Sequence, residues 1–293
     1  MIDTSVNNRM RAAVVQLNST ADTGANLEAA ERQVRAAAAD GASLIVLPEK
    51  WPLMAAGEAL AAGAEPLDGP AVTAARGWAG ELGVTLVAGS LTEAHEDARP
   101  TNTSLLIGPD GKVAASYRKI HMFDVDVGGV AYRESEVEDA GDEVVVADCG
   151  PGRIGMAVCY DLRFPELFRA LVDRGATIFT LPSAFTVTTG RAHWETLVRA
   201  RAIENQSFVL AAGQVGKAEP QFDSWGHSMI VDPWGRVLAG LEDEAEGFAA
   251  AELDFTEQAR IRADLPALAN RRPQLFEGLE HEQAGHGLNG GVA

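Results

Sequence analysis

Residues 154–158 form an unbroken apolar run that stops at Cys159. A run of that length bounded by polar residues reads as a buried strand. A polar turn follows, and Pro165-Glu166 then opens a helical pattern with Leu167, Leu171 and Val172 on one face. Proline fits the first helical position, and a glutamate in the first turn suits the helix dipole. A buried strand feeding straight into a helix belongs to a layered α/β protein. The thiol lies between strand end and helix start, where a backbone presents a side chain to a cleft beside N–H groups free to hold an anion. A second reading stays open on Cys159 alone, because a lone cysteine after an apolar run is also what a small buried hydrophobe looks like. Asp161, Arg163 and Glu166 make the segment denser in charge than a core segment.

The rest of the chain supports the layered reading. Strand patterns over residues 12–17, 44–47 and 84–89 alternate with helical patterns over 26–39 and 71–82, a β-α-β-α-β beginning. Hairpins then interleave. Residues 103–107 and 113–117 flank Pro109-Asp110-Gly111-Lys112, where proline presets φ and glycine accepts positive φ. Residues 143–147 and 153–158 flank Gly150-Pro151-Gly152, and 229–231 and 236–239 flank Asp232-Pro233-Trp234-Gly235. Strands over 177–181 and 208–212 bracket a helix over 191–205, and 248–253 closes the set. No low-complexity linker divides the chain, so one domain over residues 11–276 is expected. Residues 1–10 are polar and expected to be loose. Residues 277–293, Gly-rich from 285, are expected to form a flexible tail.

Composition narrows the function. A formal net charge of −18 over 293 residues argues against a nucleic-acid partner, which needs clustered Lys and Arg; solubility is the plainer reading of that charge. Cys149 and Cys159 are the two cysteines, too few for a disulfide framework. With no signal-peptide pattern, a reducing, cytoplasmic setting is expected. No apolar run approaches membrane-spanning length, and His121, His193 and His227 lack metal-ligand spacing. No membrane partner, metal or cofactor is therefore expected.

Three reactive residues fall at strand ends: Glu49 after 44–47, Lys119 after 113–117, and Cys159. Strand ends line the cleft of layered α/β proteins. Each has a plainer reading: Glu49 as a solvated loop carboxylate, Lys119 as one half of an ion pair, Cys159 as a core thiol. Together they make a chemical set. A free thiol is only a few per cent thiolate at neutral pH. A carboxylate in a dry pocket can take its proton. An ammonium, with the Tyr160 backbone N–H as a second donor, can stabilise a tetrahedral oxyanion.

These residues carry a resemblance. The segments Leu47-Pro48-Glu49, residues 117–124 around Lys119, residues 158–167 around Cys159, Pro182-Ser183-Ala184-Phe185, residues 189–195, residues 199–206, Gly226-His227-Ser228 and Asp232-Pro233-Trp234-Gly235 resemble, in order, the nitrilase superfamily of carbon–nitrogen hydrolases. The likeness runs from about Arg11 to Phe276. It implies a four-layer α-β-β-α sandwich with mixed sheets, assembled as a homodimer or larger homo-oligomer. It carries over Glu49 as general base, Lys119 as oxyanion stabiliser and Cys159 as nucleophile. A second family glutamate matches Glu134, with Glu136 close by. The implied reaction is hydrolysis of a linear amide of a small molecule, releasing ammonia and a carboxylic acid through a thioester on Cys159.

Within the superfamily, residues 188–195 and Arg262-Ala263-Asp264-Leu265-Pro266 followed by Arg271-Arg272-Pro273 resemble the deaminated glutathione amidases of the Nit branch. The ω-amidases, which act on α-ketoglutaramate, match less well at Pro182-Ser183-Ala184-Phe185, and Gly128-Gly129 departs from both groups. Another aliphatic amidase or a nitrilase is a further alternative. Tyr160, Arg163, Phe185, Thr188, Thr189 and Arg191 are candidates for binding substrate; an ion pair of Arg163 with Asp161 or Glu166, and simple packing of Tyr160 and Phe185, are the alternatives. Two rival classes remain: a Cys–His hydrolase using His121 or His227, and a non-catalytic binding protein.

Overall fold

The computed structural model describes residues 8–218, 222–242 and 245–275. The expected tail over 277–293 and residues 1–7 lie outside them. In chain order the strands are β1 (Arg9–Gln16), β2 (Leu44–Val46), β3 (Thr85–Val87), β4 (Leu91–Glu93), β5 (Thr101–Ile107), β6 (Val113–Arg118), β7 (Asp124–Val127), β8 (Val130–Arg133), β9 (Val146–Cys149), β10 (Gly152–Met156), β11 (Ile178–Ser183), β12 (Phe208–Gly213), β13 (Val215–Ala218), β14 (Phe222–Trp225), β15 (Met229–Val231), β16 (Val237–Gly240) and β17 (Gly247–Asp254). The α-helices are α1 (Thr23–Ala39), α2 (Gly57–Ala62), α3 (Pro70–Leu82), α4 (Pro165–Asp173), α5 (Val187–Asn205) and α6 (Phe255–Asp264).

Two mixed sheets carry the architecture. The first runs β17-β1-β2-β3-β5-β4, with β6 on the other edge of β5; the second runs β16-β15-β12-β11-β10-β9. Parallel strands occupy the middle of each, β1-β2-β3 and β10-β11-β12, and antiparallel strands flank them. Side chains alternate across a strand, and β1 shows what that does here. Ala12 and Val14 join Ile154, Met156 and Ile178 of the second sheet in one core. Ala13 and Val15 face the other way and pack with Ala30 and Val34 of α1 and Val72 and Ala75 of α3. Leu167, Phe168 and Leu171 of α4 and Val198 of α5 cover the second sheet. The layers are helices, sheet, sheet, helices, as the resemblance implies.

Local chemistry sets the element ends. Asp22 caps α1 through the Ala25 N–H at 3.0 Å, an N-cap worth about 1 kcal/mol. Pro165 opens α4 at its first turn. The sequence reading needs several corrections. Arg9 and Met10, expected to be loose, are the first residues of β1, because they pair with Asp254 and Leu253 of β17. Strand β10 ends at Met156, and Cys159–Arg163 is a 3₁₀ turn, so Val158 caps a turn instead of ending a strand. The hairpin β7–β8 went unread. Gly128 and Gly129 both have positive φ, 61° and 80°, as its two-residue turn demands.

Candidate active site

Glu49, Lys119, Glu134 and Cys159 come from four segments distant in sequence and line one cavity of about 140 Å³. Glu49 sits past β2, behind Pro48, and is 3% exposed; Lys119 directly follows β6 and is 2% exposed. Glu134 starts a 3₁₀ turn after β8. Lys119 Nζ donates to Glu49 Oε1 at 3.1 Å and to both Glu134 oxygens, at 2.9 and 2.7 Å. Glu134 also accepts from the Phe123 N–H at 2.7 Å. Asn102 Nδ2 bridges Glu49 (2.9 Å) and Glu134 (3.2 Å). Glu136 is exposed, so Glu134 is the glutamate that meets the lysine.

Electrostatics follow the geometry. Burial by itself raises the Glu134 carboxyl, but Lys119 and Lys50 outweigh it and hold the group at about 2. Burial opposes charge on Lys119, yet Glu134 and Glu49 push its ammonium well above the usual range. The Cys159 thiol is pushed far up, first by burial and then by Glu49, against the pull of Lys119. Glu49 and Ala184 share the cavity wall with it. The resting site thus holds a neutral thiol beside an ionised lysine–glutamate couple. Deprotonating that thiol requires a base at the moment of attack.

The backbone at the thiol is constrained. Cys159 has φ 49°, a left-handed conformation that non-glycine residues adopt sparingly and that clusters at functional sites. The turn is held by Asp161, fully buried, whose carboxylate accepts from the Val158 N–H (2.8 Å), Tyr117 Oη (2.7 Å) and the His121 backbone N–H (3.2 Å) and meets His121 Nδ1 at 2.7 Å. Tyr117 belongs to β6 of the first sheet, so Asp161 ties the lysine's strand to the cysteine's turn. A second tie comes from Gln214, after β12. Its amide donates to the Glu49 carbonyl and to Ser19 Oγ, both at 2.9 Å.

Other expected residues fall elsewhere. The side chains of Tyr160, Arg163, Phe185, Thr188, Thr189 and Arg191 are not on the cavity wall. Phe185 is buried with its ring 4.8 Å from Trp194, and Thr189 serves the cap of α5 with Thr186. Tyr160 packs edge-on against Phe123 and Phe164. Arg163 makes no ion pair with Asp161, which Tyr117 and His121 already engage, nor with Glu166. Its guanidinium lies over Phe185 and Tyr160 and reaches His193 at 3.3 Å. Arg191 lies over the Trp225 ring. His121 is stacked on Phe164 and turned to Asp161; His227 is stacked on Trp225 and bonded to its carbonyl. Neither histidine ring is on the cavity wall, so the Cys–His alternative lacks its base. Cys149 is buried and pushed up to about 12, by burial and then by Asp148, and has no place in the cavity.

The sequence reading missed part of the wall. Lys50 and Glu138 line the cavity beside the four, and Met54, Ala55 and Leu60 supply an apolar side. Lys50 follows Glu49 directly, the one signal that pointed to it. Glu138 stood in an acidic run that reads as solvated.

Comparison with known proteins agrees with this geometry. The carbon–nitrogen hydrolase family model matches residues 11–263. A deaminated glutathione amidase of Yersinia enterocolitica is 41% identical over 89% of this chain and 92% of its own. A human omega-amidase is 36% identical over 91% and 96%. The crystal structure of Nit3 of Saccharomyces cerevisiae, a nitrilase-superfamily protein, superposes with a TM-score of 0.83 at 30% identity, over 93% of this chain and all of that one. The chain belongs to the carbon–nitrogen hydrolase family, and it is an amide-hydrolysing enzyme.

Proposed function

We propose that this protein hydrolyses the amide of deaminated glutathione through a thioester on Cys159. The observation that carries the mechanism is Lys119 held between Glu49 and Glu134 in the cavity that Glu49 shares with the Cys159 thiol. Glu49 takes the thiol proton as sulfur attacks the amide carbonyl. Lys119 and the Tyr160 N–H hold the oxyanion. Collapse breaks the C–N bond, and Glu49 returns its proton to the leaving nitrogen, as ammonia from a primary amide or as an amine from a substituted one. Water, deprotonated by Glu49, then opens the thioester and frees the acid and the thiol. Glu134 positions Lys119. The neutral resting thiol supports a base-assisted attack over a preformed thiolate.

The substrate rests on the relatives: those named deaminated glutathione amidase reach 41% identity, and the human omega-amidase 36%. α-Ketoglutaramate is the second reading. The protein is proposed to work in the cytoplasm as a homo-oligomer. Exposed Ile203, Trp234, Val237 and Leu238 support burial against a second copy, and no helix among the described residues is long and apolar enough to cross a membrane.

The test is release of acid and of ammonia or amine by wild type and Cys159→Ala. The panel is deaminated glutathione, α-ketoglutaramate, aliphatic amides and a nitrile. Cys159→Ala is expected to lose about 10⁴-fold or more. Turnover of α-ketoglutaramate in preference to deaminated glutathione would move the substrate to the second reading. Normal turnover by Cys159→Ala would end the mechanism.

A further inference from the structure

We propose that Lys50 and Glu138 form a positioning pair that acts on Glu134 and, through it, on Lys119. The inference rests on the catalytic reading above and adds two residues to it. Lys50 follows Glu49 and has φ 50°, a conformation that lysine rarely adopts. The Lys50 N–H fixes that turn by donating to Ser90 Oγ at 3.0 Å. The consequence is direction: the side chain runs inward, and only 12% of it is exposed. Its Nζ lies 2.7 Å from Glu138 Oε2 and 3.7 Å from Glu134 Oε1. Glu138 has a fully buried side chain, anchored by Thr92 Oγ1 of β4 at 3.1 Å.

The result is one buried row of alternating charge: Glu49, Lys119, Glu134, Lys50, Glu138. A surface lysine beside a catalytic loop explains none of these contacts. Packing does not explain the pair either, since a well-packed apolar pair holds such positions as well or better than two buried charges. Breaking one member is costly because it strands the other. The pair therefore acts on its neighbour. The groups that face Glu134 are Lys119, Lys50, Asn102 and the Phe123 N–H; Glu49 lies beyond Lys119, Glu138 beyond Lys50, and the Cys159 thiol beyond Glu49. Lys50 is the second cation, after Lys119, that keeps Glu134 ionised against its burial. Glu138 works in the opposite sense on Glu134, across Lys50. An ionised Glu134 in turn keeps Lys119 charged, ready for the oxyanion.

The opposed signs give the test. The pH dependence of kcat/KM is measured on an uncharged aliphatic amide for wild type, Lys50→Met, Glu138→Gln and the double variant. The acid limb reports the coupled carboxylates of the row as a unit. Lys50→Met removes a cation, so these carboxylates bind protons more tightly and the limb moves up by about one pH unit, tenfold on the acid side. Glu138→Gln removes a carboxylate and moves the limb down. The double variant lies above Glu138→Gln, and the difference isolates Lys50 even if Lys50→Met alone fails to fold. KM for the uncharged amide stays within about threefold, because such a substrate offers neither Lys50 nor Glu138 an ionic partner. Limbs that stay put, or that move together while thermal stability falls, reduce the pair to scaffolding and overturn the inference. Cys159→Ala separates the two layers: activity in that variant sinks the catalytic reading itself, whereas an inactive Cys159→Ala with unmoved limbs sinks only the role of the pair.

Discussion

Arg118 and Lys119 are neighbours in the chain, and each meets a buried glutamate, yet they do different things. Arg118 forks onto Glu93, Nε to Oε2 at 2.9 Å and Nη2 to Oε1 at 2.8 Å, while Thr103 and Thr101 complete the same carboxylate at 2.7 and 3.1 Å. Its side chain is 47% exposed. Both oxygens of Glu93 are engaged, and Glu93 does not line the cavity. Lys119 lies on the opposite face, buried, shared between two carboxylates and next to a thiol. An arginine fork locks one partner in one geometry; a lysine is a compact point charge with three rotatable donors. Alternation across the end of one strand thus separates a structural pair from a chemical one.

The comparison can be broken from either side. The largest effect is expected from Glu49→Gln, which keeps the shape and the Asn102 contact but takes no proton; kcat/KM should fall by about 10²–10⁴-fold, read as acid release at saturating and limiting substrate. Lys119→Arg keeps the charge but replaces the point donor with a fork. A loss of about 10²–10³ in kcat is expected, from a misplaced oxyanion donor. On the other face, Arg118→Lys should leave kcat/KM within about threefold and cost about 1 kcal/mol in denaturant unfolding, since a half-exposed fork is screened by solvent. A loss of activity as great as that of Lys119→Arg would erase the distinction between the two faces.

The smallest effect is a pH dependence of stability. Burial raises the Glu93 carboxyl, but Arg118 and Thr103 outweigh it and leave it lowered from 4.5. A lowered folded value means that the unfolded chain binds the proton more readily. The stabilisation is therefore complete above the unfolded value of 4.5 and lost as pH falls through the lower folded one. Thermal midpoints of wild type and Glu93→Gln should converge on acidification and separate towards neutral pH. Parallel curves would remove Glu93 from the acid response.

The sequence showed the parallel strands clearly, because short apolar runs with turn residues between them are local signals. Glu49, Lys119 and Cys159 were legible at strand ends by the same logic, and the structure brings them to one cavity. Lys50 was hidden because a lysine after Pro48-Glu49 reads as solvated unless its φ is known. Glu138 was hidden because Glu134-Ser135-Glu136-Val137-Glu138-Asp139 has the look of a surface run, and only Lys50 and Thr92, distant in sequence, make its burial possible. Arg163 was legible as a charge near Cys159, but its setting was not: its guanidinium lies over two aromatic rings that no local pattern announces.

Asp161 and Gln214 join the two sheets at the reacting atoms, one through Tyr117 and the Cys159 turn, the other through the Glu49 carbonyl. Neither sheet alone carries a working centre. During folding, the first sheet brings base and lysine, the second brings sulfur, and nothing is competent until they dock. Turnover is therefore a reporter of docking itself. In a denaturant titration it should vanish with, or ahead of, the signal of Tyr117 and its surroundings, and a partly folded species that keeps native helix content should be silent as an enzyme.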